Sequence, residues 1–565
     1  MRGTLRVLAT AGIAIGTLSL AGSADEAFRH LPVKEYRDKM IAGWIGQMAG
    51  VAWGAPTEFR YKGRIIPVDE MPTWQPEMIN NAFRQDDLYV EMTFLRSLEI
   101  HGLDVSRRRA GIDFASTHYS LWHANYHGRE ALRRGIGPPD SGHPQFNKHA
   151  DDIDYQIEAD FSGVIAPGLP NTAIALGETF GRLMNYGDGL YGGQFVGGMY
   201  AEAFFESDPV NIVKAGLRCI PRRSQYAEAI RDVLRWHKKN PDDWEKTWDL
   251  INRKYHLNPD YRRFSCTGPK SDFNIDAKIN GAYIVMGLLY GERDLDKTIV
   301  ISTRCGQDSD CNPASAGGVL FTTVGASKLP KRFTSALDKE RVFSHTAYNF
   351  RRLINVSEKL ARQMVLAAGG RIEKDKDGQG VFVIPVTAAK PSKLERSWEP
   401  GPIANSRFSD EELQEILRDM IAPHVIKGLR KFVPGWEITG CGQDSNPGLY
   451  PAARGKENVF LTHPLNRETA CTLSRRVAIP AGKRTTLRLT VGHHPKGDWD
   501  LVVKVEGKEL LKKLIGKETA VGGWMDLSVD LSFYAGKRIT LELLNQANGW
   551  SDEAGYWAKI ELESK

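Results

Sequence analysis

Apolar residues recur at helical spacing from Val33 to Gly50, where Ile41, Trp44, Ile45 and Met48 lie three or four positions apart. Gly43, Gly46 and Gly50 interrupt the stripe at similar intervals, which predicts a helix that another backbone can approach closely. Leu88, Met92, Leu95 and Leu98 predict a second helix. Further helices are predicted over Thr172–Leu183, Phe195–Phe205, Asn280–Leu289 and Leu295–Thr303. No strict alternation appears before about Phe350, so this part of the chain reads as all-α. The pattern then changes. Arg371–Val386 predicts a strand pair around Lys374-Asp375-Lys376-Asp377-Gly378. Ala389–Pro402 reads as a Lys-, Ser- and Pro-containing linker, and Ser409–Met420 as a capped helix. Leu487–Val491, Leu501–Val505 and Ile539–Leu543 alternate, with turns at Ala481-Gly482-Lys483 and Glu506-Gly507-Lys508. Regular short strands of this kind predict a β-sandwich. The expected fold class is multidomain, with an all-α N-terminal domain over 31–350, a helix, hairpin and linker region over 351–434, and a C-terminal sandwich over 435–565.

The first residues stand apart. Arg2 and Arg6 precede an apolar run from Val7 to Ala21, and Gly22-Ser23-Ala24 supplies small residues before Asp25-Glu26. This predicts a signal peptide over 1–24 and an exported protein, periplasmic or extracellular. No later stretch is apolar enough to span a bilayer, so no stable membrane insertion is expected after cleavage. Lys plus Arg number 75 and Asp plus Glu 69, a net charge of +6 over 565 residues. That balance lacks the concentrated basic patch a nucleic-acid partner requires. Six cysteines match no zinc spacing, and Cys441 with Cys471 would make a bridge within one domain.

Carboxylates and glycines gather at predicted helix entrances. Asp86 and Asp87 sit in a first turn, where free N–H groups favour them; one can cap, leaving the other for a cation. Asp308 and Asp310 lie in a tight loop leading into the small-residue run from Ala314 to Leu320, a D-x-D arrangement suited to a hard cation. Asp310 or its neighbour would equally serve as an Asx cap. Glu58 follows a Gly-Pro turn. The run Asp151–Asp160 carries five carboxylates, of which Glu158 and Asp160 precede a small-residue turn. Asn185–Gln194 reads as another glycine-rich turn. Several helix N-termini could therefore converge on one polar site, a place that also favours anionic substrate groups. His118, His123 and His127 are spaced five and four apart. Without a third ligand they are expected to pack or to rim a substrate rather than hold zinc. Trp499, Trp524, Trp550, Tyr556 and Trp557 enrich the sandwich in aromatics, for core packing or for stacking on a sugar.

Gly46-Gln47-Met48-Ala49-Gly50 through Pro56-Thr57-Glu58, then Gln85-Asp86-Asp87, then Gly306-Gln307-Asp308-Ser309-Asp310-Cys311 resemble, in this order, motifs of the ADP-ribosylglycohydrolase family, which includes dinitrogenase-reductase-activating glycohydrolases. The resemblance spans about residues 36–330. It implies an all-α domain with two Mg²⁺ or Mn²⁺ ions in a central cleft. By motif, the implied ligands are Asp86, Asp87, Asp308 and Asp310, with Glu58 as the early acid. Two family threonines are Gln85 and Cys311 here. Glutamine still offers an oxygen, so Gln85 is a further ligand candidate, whereas sulfur is a poor partner for Mg²⁺. The sandwich looks like a galactose-binding-like module.

The activity expected from these features is that of an exported, metal-dependent glycosidase acting on a carbohydrate or sugar derivative. It would use one or two divalent cations (Mg²⁺ first, Ca²⁺ or Mn²⁺ as alternatives) and no organic cofactor. Glu58, then Glu158 and Asp160, are the catalytic candidates, since glycosidases divide acid and base work between two carboxylates. The alternatives are an ADP-ribosyl glycohydrolase and a non-catalytic glycan-binding protein.

Overall fold

The structure is a computed structural model that describes residues 27–565; the segment expected as a signal peptide lies outside the described residues. The helix Val33–Gly54 runs through the middle of the N-terminal domain, and every residue from Ala42 to Gly54 is buried. Its main neighbour is the helix Cys311–Val324. The glycines explain how close the two come. A Cβ on Gly46 would stand 2.5 Å from the Gly317 carbonyl oxygen, and one on Gly50 would stand 2.1 Å from that of Pro313. Backbone therefore packs on backbone, and the loops at the ends of the two helices meet.

The helix Ala277–Tyr290 is buried along its whole length, as its apolar composition predicts. The glycine-rich stretch expected as a turn at Asn185–Gln194 is instead mostly helix, which runs from Gly187 to Ala203. Glycine is a poor helix former, but here packing overrides propensity. A Cβ on Gly189 would meet the Ala150 carbonyl at 2.3 Å, and one on Gly193 would meet the Tyr155 ring at 2.2 Å.

The strand pair β2 (Arg371–Lys374) and β3 (Gly380–Pro385) is present, and the N-terminal strand β1 (Phe28–Pro32) completes it in the order β1-β3-β2. Phe382 and Ile384 join the same apolar core as the helices. The segment expected as a linker is a docked strap. Lys, Ser and Pro suggest exposed chain, but an extended backbone offers its own donors and acceptors to the domain beside it. Tyr191 donates to the Lys393 carbonyl at 2.8 Å, Arg182 pairs with Glu395 at 2.6 Å, and the Ala404 and Ser406 amides donate to Asp140 at 2.7 and 2.9 Å. Ser397 donates to the buried carboxylate of Asp151.

The C-terminal region is two five-stranded antiparallel sheets. They are built from β4 (Glu437–Thr439), β5 (Gly448–Ala453), β6 (Lys456–Thr462), β7 (Cys471–Ala478), β8 (Thr485–His493), β9 (Trp499–Val505), β10 (Lys508–Ile515), β11 (Trp524–Asp530), β12 (Arg538–Gln546) and β13 (Gly555–Ser564). The orders are β10-β9-β12-β7-β4 and β11-β8-β13-β6-β5. Trp499 and Trp557 are fully buried between them, with ring centroids 5.4 Å apart. Their indole N–H groups reach the Gly492 carbonyl and the Thr462 hydroxyl. These two are core residues rather than a sugar platform; Trp550 is exposed. Cys441 and Cys471 are buried free thiols, close enough that Cys441 helps burial raise the Cys471 thiol. The helix Pro423–Phe432 packs with the sandwich core. Arg109 to Glu415 at 2.7 Å and Gln443 to the His118 carbonyl at 2.7 Å tie this end to the helical domain across a cavity of about 1290 Å³. No helix of the described residues is long and apolar enough to cross a membrane.

Candidate active site

Three helix beginnings converge, and each carries a carboxylate. Asp86 opens the helix Asp86–His101, Asp160 opens Asp160–Val164, and Asp310 caps Cys311–Val324 by accepting from the Cys311 amide at 3.0 Å. The close pairing of Val33–Gly54 with Cys311–Val324 carries Glu58 to the same place. Thr57 bonds both the Gly54 carbonyl and the Ser309 hydroxyl at 2.8 Å, and the Phe59 amide donates to the Gln307 carbonyl at 3.1 Å. Gln307, at φ +58°, holds the loop from the other side. Its side-chain oxygen accepts from the Asn274 amide and its side-chain nitrogen donates to the Asp272 carbonyl. Donor atoms of Asp308, Asp310 and Cys311 lie within 4.8 Å of one another.

Asp87 and Asp308 are buried, and neither oxygen of either side chain has a hydrogen-bond partner among the described residues. Four such oxygens in one interior carry a large desolvation penalty unless a cation is present. The electrostatics say the same. Burial, then neighbouring carboxylates, raises Asp87 and Asp308 well above the usual range. Burial raises Asp310 to about 6 and Asp86 in the same direction. Glu58 keeps contact with solvent at the mouth, yet desolvation by the surrounding protein, then Asp310 and Asp86, push it up to about 8. A divalent ion reverses this logic by favouring the ionised forms. A set dominated by carboxylate oxygens fits a hard cation. Cys311 sits among Asp308, Asp310, Asp87 and Asp86, and burial keeps its thiol protonated. Gln85 lies at the cap before Asp86 and its side chain makes no capping bond.

Glu158 is fully buried. Its Oε1 accepts from Asn125, its Oε2 has no partner among the described residues, and Asp86 and Asp87 are close enough to help raise it. Asp160 has both oxygens engaged, by Tyr200 at 2.8 Å and Ser315 at 3.2 Å, and burial raises it to about 7. Glu91 belongs to none of the motifs that mark the other carboxylates. It is buried and accepts from Gln47 at 2.7 Å and from the Phe161 amide at 3.0 Å, and burial, then the nearby Asp160, raises it well above the usual range. Its position four residues after Asp87, on the same helical face, is the signal in the sequence that points to it. The histidines divide: His118 packs near His345, whereas His123 and His127 lie against His149.

A family model described as ADP-ribosylglycohydrolase matches residues 32–368. The chain belongs to the ADP-ribosylglycohydrolase family. The matched span holds every carboxylate of the cluster. A solved structure described as an ADP-ribosylglycohydrolase-related protein complex aligns at 14% identity over 59% of this chain and 99% of its own, with a TM-score of 0.37. Two Paenibacillus barcinonensis domains, the CBM22-1 xylan-binding domain of Xyn10C and a CBM35, each align at 14% identity over 23% of this chain. They are covered to 86% and 94%, with TM-scores of 0.18 and 0.17. No curated protein matches the chain.

The raised carboxyls give stability a definite pH dependence. Glu58, Asp160 and Asp310 have folded-state values of about 8, 7 and 6, all above their unfolded values. The folded state holds these protons more tightly. Its advantage is complete below about pH 4 and is lost as pH rises through the folded values. In chelator, the urea midpoint is therefore expected to fall steadily from about pH 5 to about pH 8. Saturating Mg²⁺ or Mn²⁺ should remove the fall. A midpoint that stays flat or rises in chelator would contradict the assignment of protonated, buried carboxyls.

Proposed function

We propose that this family member is a divalent-cation-dependent glycohydrolase that cleaves the bond between the anomeric carbon of an ADP-ribosyl-type group and its acceptor. The observation that carries the reading is the set of four buried oxygens of Asp87 and Asp308, without partners among the described residues, beside Asp86 and Asp310. The order of substrates expected from the sequence is thereby reversed. The family match supports ADP-ribose, whereas the glycan reading rested on the leader and the sandwich.

Asp86, Asp87, Asp308 and Asp310 would hold the cation, with Gln85 as a further oxygen donor. When bound, it would neutralise charge and orient the sugar hydroxyls and a water. Glu58, at about 8 alone and lower beside a cation, titrates near neutral pH, as proton transfer to or from the scissile bond requires. Glu158, held by Asn125, is the second carboxylate facing Asp86 and Asp87. Asp160 has both oxygens taken up by Tyr200 and Ser315, which gives it a supporting place beside the cluster rather than a proton-transfer role.

Glu58→Gln should lower kcat by about 10²–10⁴-fold with bound metal unchanged. Release of ADP-ribose from ADP-ribosylated protein or small molecules is the assay. Liberation of reducing ends from a glycan without any ADP-ribose would overturn the substrate. Export and glycan binding by the sandwich are separate proposals. N-terminal sequencing of the mature chain and a glycan-binding assay on the whole protein test them.

A further inference from the structure

A second group of metal-binding side chains lies outside the carboxylate cluster. His123 begins the helix His123–Arg133, His149 and Asp152 lie in the loop before the short helix Asp154–Ile157, and Cys266 lies in the loop before Ala277–Tyr290. One donor atom of each is within 4.8 Å of the other three. His149 Nδ1 is 2.5 Å from Asp152 Oδ2, and His123 Nδ1 is 3.6 Å from the same oxygen. The Cys266 sulfur lies beside the Asp152 carboxylate.

Hydrogen bonding alone leaves this group unsatisfied. Asp152 is completely buried, and its Oδ1 has no partner among the described residues; neither has His123 Nδ1. Asp152 is backed by Asp276, with which it forms an isolated bridge. Asp276 also has a buried oxygen without a partner among the described residues, and its other oxygen pairs with Lys278 at 3.1 Å. His123 adopts φ +44°, a left-handed value that costs a non-glycine residue energy and is kept only where its surroundings fix it.

We propose that His123, His149, Asp152 and Cys266 form a second metal site, which takes a borderline transition ion such as Zn²⁺ rather than Mg²⁺. Two nitrogens, one oxygen and one sulfur are the donors zinc takes in tetrahedral sites, and the sulfur disfavours a hard ion. The first cluster, dominated by carboxylate oxygen, has the opposite preference. The His123 ring centroid is 6.4 Å from that of Phe59, the residue after Glu58, and 5.7 Å from that of Phe273. The site therefore lies beside the segment that carries Glu58, and its binding of an ion does not depend on the glycohydrolase reading.

Cobalt reports the site without any activity measurement. The full chain, stripped with chelator and reloaded with Co²⁺, should show a thiolate-to-cobalt charge-transfer band. Cys266→Ser, a nearly isosteric change, should abolish the band with an unchanged circular dichroism spectrum. Cys311→Ser and Asp308→Asn should keep it, since both lie in the first cluster. With Zn²⁺, His149→Ala should retain at least about 10-fold less metal after desalting than the unsubstituted chain. Absence of the band from the unsubstituted chain, its persistence in Cys266→Ser, or its loss in Cys311→Ser would each overturn the assignment.

Discussion

Asp308→Asn should reduce turnover by more than about 100-fold while the protein still folds. Groups that merely orient metal ligands already cost about 10–100-fold when changed, and Asp308 offers two oxygens that no other described residue engages. The amide keeps the shape of the side chain but removes the charge and places a donor where a ligand oxygen stood. Without metal the substitution relieves the structure. Burial together with Asp310, Glu58 and Asp87 raises the Asp308 carboxyl, so at neutral pH the folded state must keep a proton that the unfolded chain would release, a cost that the neutral amide avoids. In chelator the variant should therefore melt at or above the temperature of the unsubstituted chain. In saturating Mg²⁺ or Mn²⁺ the order should reverse, because the variant gains less from the ion. Turnover, bound metal and melting temperature measured on one preparation test all three parts. Full turnover in Asp308→Asn would remove Asp308 from the metal site, and a lower melting temperature in chelator would show that its role is structural.

Local chemistry is legible in the sequence where spacing alone decides geometry. The glycine stripe from Gly43 to Gly50 announces a close helix contact, and the alternation at Leu487–Val491 and Ile539–Leu543 announces sheet. What spacing cannot supply is the identity of the neighbours. The stripe does not say that the contact is the helix Cys311–Val324, and it is that contact which brings Glu58 to Asp310 across some 250 positions. Asn185–Gln194 reads as a turn because glycine's intrinsic cost in a helix is visible in sequence. The Ala150 carbonyl and Tyr155 ring that leave no room for a side chain there are not. The strap over 389–402 reads as a linker for the related reason that polar chain looks like solvated chain, although Tyr191 holds its backbone and Asp140 that of the residues just after it. His149 does not stand out as a partner of His123 because the two come from different segments, with no helical spacing to relate them.

Gly54→Ala should injure the site from outside it. A Cβ at Gly54 would stand 2.0 Å from the Ser309 carbonyl oxygen and 2.6 Å from the Asp310 Cα. Both obstacles are backbone, so neither can turn aside as a side chain could. The methyl group can be accommodated only if the helix Val33–Gly54 and the 306–310 loop move apart. Such overpacking costs about 1–3 kcal/mol. The movement also strains the Thr57 to Ser309 hydrogen bond and carries Asp308 and Asp310 away from Glu58. A displacement of about 1 Å in a catalytic arrangement costs about 100-fold in rate. Turnover should therefore fall by about that factor although no ligand or acid has been changed, and the gain in melting temperature from the divalent ion should shrink. Gly401→Ala is the control, since its Cβ would meet nothing closer than the Tyr186 hydroxyl at 3.4 Å, an ordinary contact. If Gly54→Ala kept native turnover and native metal stabilisation, the helix pair would not be what positions the carboxylates, and the Gln307 anchoring by Asn274 and Asp272 would have to be sufficient by itself.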